Sequence, residues 1–400
     1  MSPKSRSQSR SQSRSKSDSK SRPKSGRNAP RKSRSPSARA KSGGAAGPDL
    51  AFLERLLDAA GPSGFEIRAA RVWRQEAERL ADEVSVDVYG NSFASLNPAG
   101  APRVMLAGHI DEIGLQITHI DDDGYLYVAE IGGWDPQVLV GQRVRILARE
   151  VAVTGVIGKK AIHLIEREER DKASKTKQLW VDVGASSRAE VASLGVRVGD
   201  PMVLDQAMVR LGADRIASRA IDNRIGAFIV LEALRMLTRA RLQSSVIAAA
   251  TVQEEIGYSG GGARTSAYAL EPDLAIVVDV TFSSDVPDVD KKEVGERRLG
   301  SGPVLTRGSA SHDSLFEALA RIAEAEGIPY TVQAAPKATR TDADGIYLTR
   351  RGVPTALVSV PNRYMHSPNE VVSLEDVRNT ARLIAAFARS VGSATDFTPR

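Results

Sequence analysis

Cysteine is absent from the 400-residue chain, which removes disulfides, cysteine-ligated zinc and thiol nucleophiles from consideration. No apolar run approaches membrane-spanning length, and the basic N-terminus lacks the apolar stretch of a signal peptide, so a cytoplasmic location without membrane contact is expected. Acids are nearly missing from residues 1–47, where Asp18 stands alone against fourteen Lys or Arg. This stretch carries +13, while the rest of the chain, with forty-one bases and forty-eight acids, carries −7. The basic pI of about 9.5 therefore describes the tail, and the body is mildly acidic.

Within the tail, Ser alternates with Arg, Lys and Gln from Ser5 to Ser21. Residues 1–48 have almost no apolar surface to bury and are expected to be disordered. Such a segment suits an electrostatic tether for nucleic acid or another polyanion. It also suits a solvated, dispensable extension, a reading favoured by the lack of aromatic residues that would stack on bases.

From Leu50 the pattern turns globular. Helical spacing over 50–60 and 66–80 flanks the turn Gly61-Pro62-Ser63-Gly64, and strands are expected at 84–88 and from Val104 to Ala107. Residues 115–210 are short alternating segments broken by glycine pairs, among them Leu126 to Ile131, Arg143 to Leu147 and Val151 to Ile157. Beyond Ala217, helices at 224–239, 312–326 and 374–391 interleave with strands at 246–252, 274–280 and 355–360. Val246 to Val252 and Leu274 to Val280 are nearly continuous apolar runs, as for strands covered on both faces. The expected architecture is α/β, a mixed sheet flanked by helices. The catalytic domain would comprise residues 49–114 and 211–400, interrupted by a small all-β insert at 115–210.

The ionisable residues gather at strand ends. His109 and Asp111 follow one strand, Glu254 and Glu255 another, Asp279 lies near the end of a third, and His366 follows a fourth. Asp222 precedes a helix, a position that alone would suggest an N-cap. Open α/β sheets bind ligands outside the carboxyl ends of their strands, and carboxylates crowded there repel unless cations lie between them. Nitrogen and oxygen donors without sulfur suit zinc, cobalt or manganese in a dinuclear hydrolytic site. His109, Asp222, Glu255, Asp279 and His366 supply enough ligands for two metals, and Asp111 can orient the His109 ring. Adjacent side chains on an extended segment point oppositely, so one of Glu254 and Glu255 is expected to ligate while the other serves as general base. His119, His163 and His312 read as surface, loop or helix-start residues.

The motifs Ala-Gly-His-Ile-Asp-Glu-Ile-Gly (107–114), Arg-Ala-Ile-Asp-Asn-Arg-Ile-Gly (219–226), Thr-Val-Gln-Glu-Glu-Ile-Gly (251–257), Val-Val-Asp-Val-Thr (277–281) and Arg-Tyr-Met-His-Ser-Pro-Asn-Glu (363–370) occur in this order. At these residues the chain resembles the glutamyl-aminopeptidase and tetrahedral-aminopeptidase family of dinuclear metallopeptidases, some of which carry an endoglucanase label. The resemblance implies two divalent ions per subunit, zinc or cobalt. His109 and Asp279 would hold one, Glu255 and His366 the other, with Asp222 bridging, Glu254 as general base and Asp111 behind His109. It further implies peptide substrates with a free N-terminus and a β insert that makes dimers, which assemble into larger shells such as dodecamers. Arg-Thr-Asp-Ala (340–343) departs from the Gly-Gly-Thr-Asp-Ala usual in that family. Two other readings of the chain are a related metallohydrolase acting on N-acyl amino acids or glycosides, and a polyanion-binding protein with a structural metal site. A candidate base beside a full ligand set argues against the last, since a structural site has no use for one.

Overall fold

The computed structural model describes residues 48–149, 151–257 and 260–399. The expectation for the basic tail, residues 1–47, falls outside the described residues.

An eight-stranded mixed sheet forms the centre of the molecule. Its spatial order is Glu83–Val86, Ser92–Leu96, Ser245–Thr251, Arg103–His109, Leu274–Phe282, Thr355–Asn362, Val304–Gly308 and Thr331–Ala335. The four middle strands, from Ser245–Thr251 to Thr355–Asn362, run parallel, with Thr251 opposite His109 and Asp279 opposite Ser359. Parallel neighbours require crossover connections, and those connections place helices on the faces.

Alternation along the strands explains the two-sided burial. Val104, Leu106, Val246, Ala248, Ala250, Ile276 and Val278 face a core shared with helices Leu50–Asp58, Ile67–Ala77, Ile221–Leu237, Asp313–Ala325 and Leu374–Ser390. Met105, Ala107, Ile247, Ala249, Ala275 and Val277 face the opposite way, against helices Gly261–Leu270 and Asp342–Tyr347. These two helices, and the strands Val304–Gly308 and Thr331–Ala335, do not appear in the sequence reading. The shorter helices bury Ala263, Ala267, Ala343 and Ile346, with Leu270 half-buried beside them, a weak periodic signal.

Between the two stretches that build the large sheet, six strands close into a barrel: Gly114–Ile120, Leu126–Ile131, Leu179–Asp182, Ala152–Lys159, Arg143–Leu147 and Pro201–Leu204. Closure leaves no edge strands, and the barrel has a core of its own built on Leu115, Leu126, Val144, Ile157, Val181 and Met202. A small sheet of Val209–Leu211, Arg215–Ser218 and Glu370–Ser373 brings residue 370 beside the chain that leads into helix Ile221–Leu237. The fold is thus a mixed sheet flanked by helices with a small inserted all-β unit. Among the described residues, no helix is long and apolar enough to cross a membrane.

Candidate active site

The carboxyl ends of the middle strands open into a cavity of about 880 Å³ bordered by His109, Asp222, Glu254, Glu255, Asp279 and His366. Asp111, the seventh residue expected at the site, is fully buried behind His109, with its Oδ1 3.3 Å from His109 Nδ1. Close approach of the backbone is what lets these segments meet. A Cβ on Gly108 would fall 2.4 Å from the Gly226 carbonyl carbon, and one on Gly226 would fall 2.6 Å from the Val278 carbonyl oxygen. Only glycine permits the start of helix Ile221–Leu237 to rest on the strand ends at both points.

Asp222 is not a cap. Its backbone is non-helical, and the cap is instead Asn223, whose Oδ1 accepts the Gly226 N–H at 2.9 Å and whose Nδ2 donates to the Val278 carbonyl at 2.7 Å. Asn223 therefore fixes the distance between Asp222 and the strand bearing Asp279. The Asp222 carboxylate is free to turn inward, where Oδ1 lies 3.3 Å from His109 Nε2 and Oδ2 lies 3.4 Å from His366 Nε2. Two donor clusters result, His109 with Asp222 and Asp279, and Asp222 with Glu255 and His366, each with its donor atoms within 4.8 Å of one another.

Glu254 and Glu255 both face the cavity, which differs from the opposite-faces expectation. The chain leaves the extended conformation at Gln253, where φ is 60°. Glu254 Oε2 then lies 3.6 Å from His109 Nε2, and Glu255 Oε2 lies 3.3 Å from His366 Nε2. Three carboxylates hold the segments that carry these groups. Asp111 accepts the N–H groups of Glu254 and Glu255 at 3.2 and 3.0 Å. Glu66 accepts from Gln253 at 3.2 Å. Glu370 accepts from Asp222 and His366, both at 2.9 Å. Glu66 was not expected at the site, while Asp342, a cavity carboxylate that accepts from the Thr251 hydroxyl, and Glu370 appear in the sequence only as members of motifs. Glu370 had one legible signal, its place four residues after His366. Asp342 had its place in Arg-Thr-Asp-Ala, and Glu66 had none, because its partner Gln253 is far away in the chain.

The remaining histidines stay apart from the cluster. His119 is an exposed strand residue against Tyr127, His163 lies in an exposed turn, and His312 precedes helix Asp313–Ala325.

Burial dominates the electrostatics, and the crowding of carboxylates adds to it. Two like charges 4 Å apart repel by about 4 kcal/mol at an effective dielectric near 20. Burial, reinforced by the Asp222 charge, lifts Glu255 to about 7, and burial lifts Asp342 to about 6. Burial also drives Glu254 and Asp279 well above the usual carboxylate range against the pull of His109. Burial opposes the charge on His366, but Asp222 and Glu255 outweigh it and raise the ring to about 11. Protons thus serve as counter-charges here, and divalent cations can take their place.

Such a rim, with nitrogen and carboxylate donors in two adjoining clusters at the ends of parallel strands, is the arrangement of a metallopeptidase. Residues 90–383 match the family model described as M42 glutamyl aminopeptidase. The lysyl aminopeptidase of Pyrococcus furiosus is 37% identical over 88% of this chain and 99% of its own length. The glutamyl aminopeptidase of Lactococcus lactis is 27% identical over 85% and 96%. Among solved structures, the TET aminopeptidase of the marine sediment archaeon Thaumarchaeota archaeon SCGC AB-539-E09 superposes with a TM-score of 0.82 at 33% identity, covering 86% of this chain and 96% of that one. The TET1 peptidase of Pyrococcus horikoshii, which can assemble into a tetrahedron or a large octahedral shell, superposes with a TM-score of 0.76 at 30% identity, covering 86% and 99%. The chain belongs to the M42 glutamyl aminopeptidase family and is an aminopeptidase, a hydrolase of peptides.

Proposed function

We propose that this chain is a dinuclear metallo-aminopeptidase that releases N-terminal residues from short peptides. The observation that carries the proposal is the position of Asp222, whose two oxygens each face a different histidine. The donor set fits two divalent ions, since each cluster combines one imidazole with carboxylates and the buried Glu255 Oε1 has no hydrogen-bond partner. His109 and Asp279 would hold one ion, Glu255 and His366 the other, and Asp222 would be shared between them. Zinc or cobalt suits such borderline ligands. When bound, such ions polarise the scissile carbonyl and bring the pKa of a water down to about 7.

The protein's own groups do the rest. Glu254, outside both donor clusters but beside His109, takes the proton from the attacking water and delivers it to the leaving amine. Asp111 orients the His109 ring and, through the Glu254 and Glu255 N–H groups, fixes the base relative to the ligand. The carboxylate-rich rim attracts the substrate's α-ammonium group, which restricts cleavage to chain ends. A panel of aminoacyl anilides, assayed with and without a chelator, tests this reading. Metal-dependent release from free but not N-acetylated substrates is expected. Chelator-insensitive cleavage, or preference for N-acyl substrates, would contradict it.

Metal uptake should be linked to pH. Glu255, lifted to about 7, and His366, lifted to about 11, are protonated in part or in full near neutrality when no ion is present. Both must lose that proton to ligate, so affinity should rise with pH, by about tenfold per unit for each proton released. Calorimetry between pH 6 and 8 in buffers of different ionisation enthalpy checks this, and a pH-independent affinity would contradict it.

The barrel is the proposed dimerisation element, and the working assembly a homo-oligomer of dimers. The Pyrococcus horikoshii relative supports this reading through its closed shells. A variant lacking residues 115–210 should sediment as a monomer, and a full-sized oligomer from it would overturn the assignment.

A further inference from the structure

We infer that Arg219 positions the metal ligand Glu255 through one internal water held between them; this rests on the dinuclear reading above. Asp222 and Glu255 border not only the catalytic cavity but also a second one, of about 10 Å³. Arg219 and Glu370 line this smaller space too, with Ile113, Trp134 and Leu204 as its apolar part. Two buried polar atoms of its lining residues, Arg219 Nε and Glu255 Oε1, have no hydrogen-bond partner among the described residues. Arg219 is only 3% exposed, so bulk water does not satisfy it, and a buried polar group left unpaired is costly.

The other polar atoms of both side chains are committed. Arg219 Nη1 donates to Glu112, and Nη2 donates to the Asp58 carbonyl at 2.6 Å. Glu112 is itself held by Arg224 Nη2 at 2.7 Å and by the Gly61 N–H at 3.0 Å. The guanidinium is therefore pinned between Glu112 and the end of helix Leu50–Asp58, and Nε is its one nitrogen without a partner. On the other residue, Glu255 Oε2 lies 3.3 Å from His366 Nε2 in the catalytic cavity, which leaves Oε1. The two remaining atoms are a donor and an acceptor, yet no bond joins them. A single water completes such a pair by accepting from one and donating to the other.

The walls select that occupant. The guanidinium excludes a metal ion, the carboxylates of Glu112, Glu255 and Glu370 exclude an anion, and the unpaired polar atoms exclude an apolar group. The volume of about 10 Å³ is at the lower limit for one water and admits nothing larger. Glu370 already accepts from the Asp222 and His366 N–H groups, and its oxygens have lone pairs left for the water's second hydrogen. Held in this way, the water engages Glu255 Oε1, and Oε2 alone is presented to the ion beside His366. Arg219 is thus a positioning residue, which sets how Glu255 ligates without touching the ion.

Diffraction from the full-length protein and from one variant tests this. High-resolution crystals of the zinc-loaded protein should show one water about 2.7–3.2 Å from both Arg219 Nε and Glu255 Oε1. If Glu255 instead grips the ion with both oxygens and no water lies behind it, the inference falls and the dinuclear reading stands. If the water is present but Glu255 holds no ion, the dinuclear reading falls and the positioning role falls with it. Arg219→Lys keeps a cation beside Glu112 but puts a methylene where the Nε–H stands. Soaking crystals of this variant in graded zinc reads each site separately through its anomalous peak. The Glu255–His366 site should weaken by about 10–100-fold, with the His109–Asp279 site within about threefold of the unsubstituted protein. A role exerted only through Glu112 predicts the reverse, because Glu112 adjoins Asp111, whose Oδ1 lies 3.3 Å from His109 Nδ1. Equal losses at both sites, a loss confined to the His109 site, or no loss at either would therefore overturn the positioning role. Circular dichroism establishes that the variant is folded, and the water in the unsubstituted protein decides the matter if it is not.

Discussion

Substituting Glu254 with Gln is expected to leave two metal ions per chain in place and to reduce turnover by about 10³-fold or more, the upper part of the range for general acid–base catalysis. The carboxylate lies 3.6 Å from His109 Nε2, close to the centre, but it belongs to neither donor cluster. Its backbone N–H is held by Asp111 and the preceding Gln253 N–H by Glu66, so an isosteric amide should keep the geometry while losing the ability to accept a proton. Metal analysis alongside turnover decides the matter. An inactive variant that had lost metal would mean that Glu254 and Glu255 exchange the roles proposed here.

Asp222→Asn is expected to impair both metal sites together, a larger loss than that from any ligand belonging to one cluster. Each Asp222 oxygen faces a separate histidine, and the amide of asparagine replaces one acceptor by a donor and removes the charge. Glu370→Gln provides the scale. It acts one step removed, through the Asp222 and His366 N–H groups, and should weaken metal binding by about 10–100-fold, as outer-shell partners do. Asp222→Asn should exceed that at both sites. Retention of one full metal equivalent by Asp222→Asn would show that the clusters do not share it.

Much of this was legible before the structure because the signals are local. His109 and Asp279 lie at the ends of strands whose apolar runs announce burial on both faces, and the ligand-bearing motifs retain their order along the chain. What the sequence did not disclose is what depends on distant contact. Asn223 rather than Asp222 caps its helix because Gly226 and Val278 draw the asparagine inward. Glu254 and Glu255 share a cavity because a left-handed turn at Gln253 overrides strand alternation. Arg297 reads as one of two bases in Gly-Glu-Arg-Arg, and only folding shows that, among the described residues, it is the one buried arginine without a carboxylate partner.

One carboxylate shared between two metal sites is tested most directly by anomalous diffraction from zinc-loaded crystals. Two peaks per chain are expected, one between His109 and Asp279 and one between Glu255 and His366, with Asp222 reaching both. A single peak, or two peaks of which only one contacts Asp222, would contradict the shared centre and the mechanism built on it.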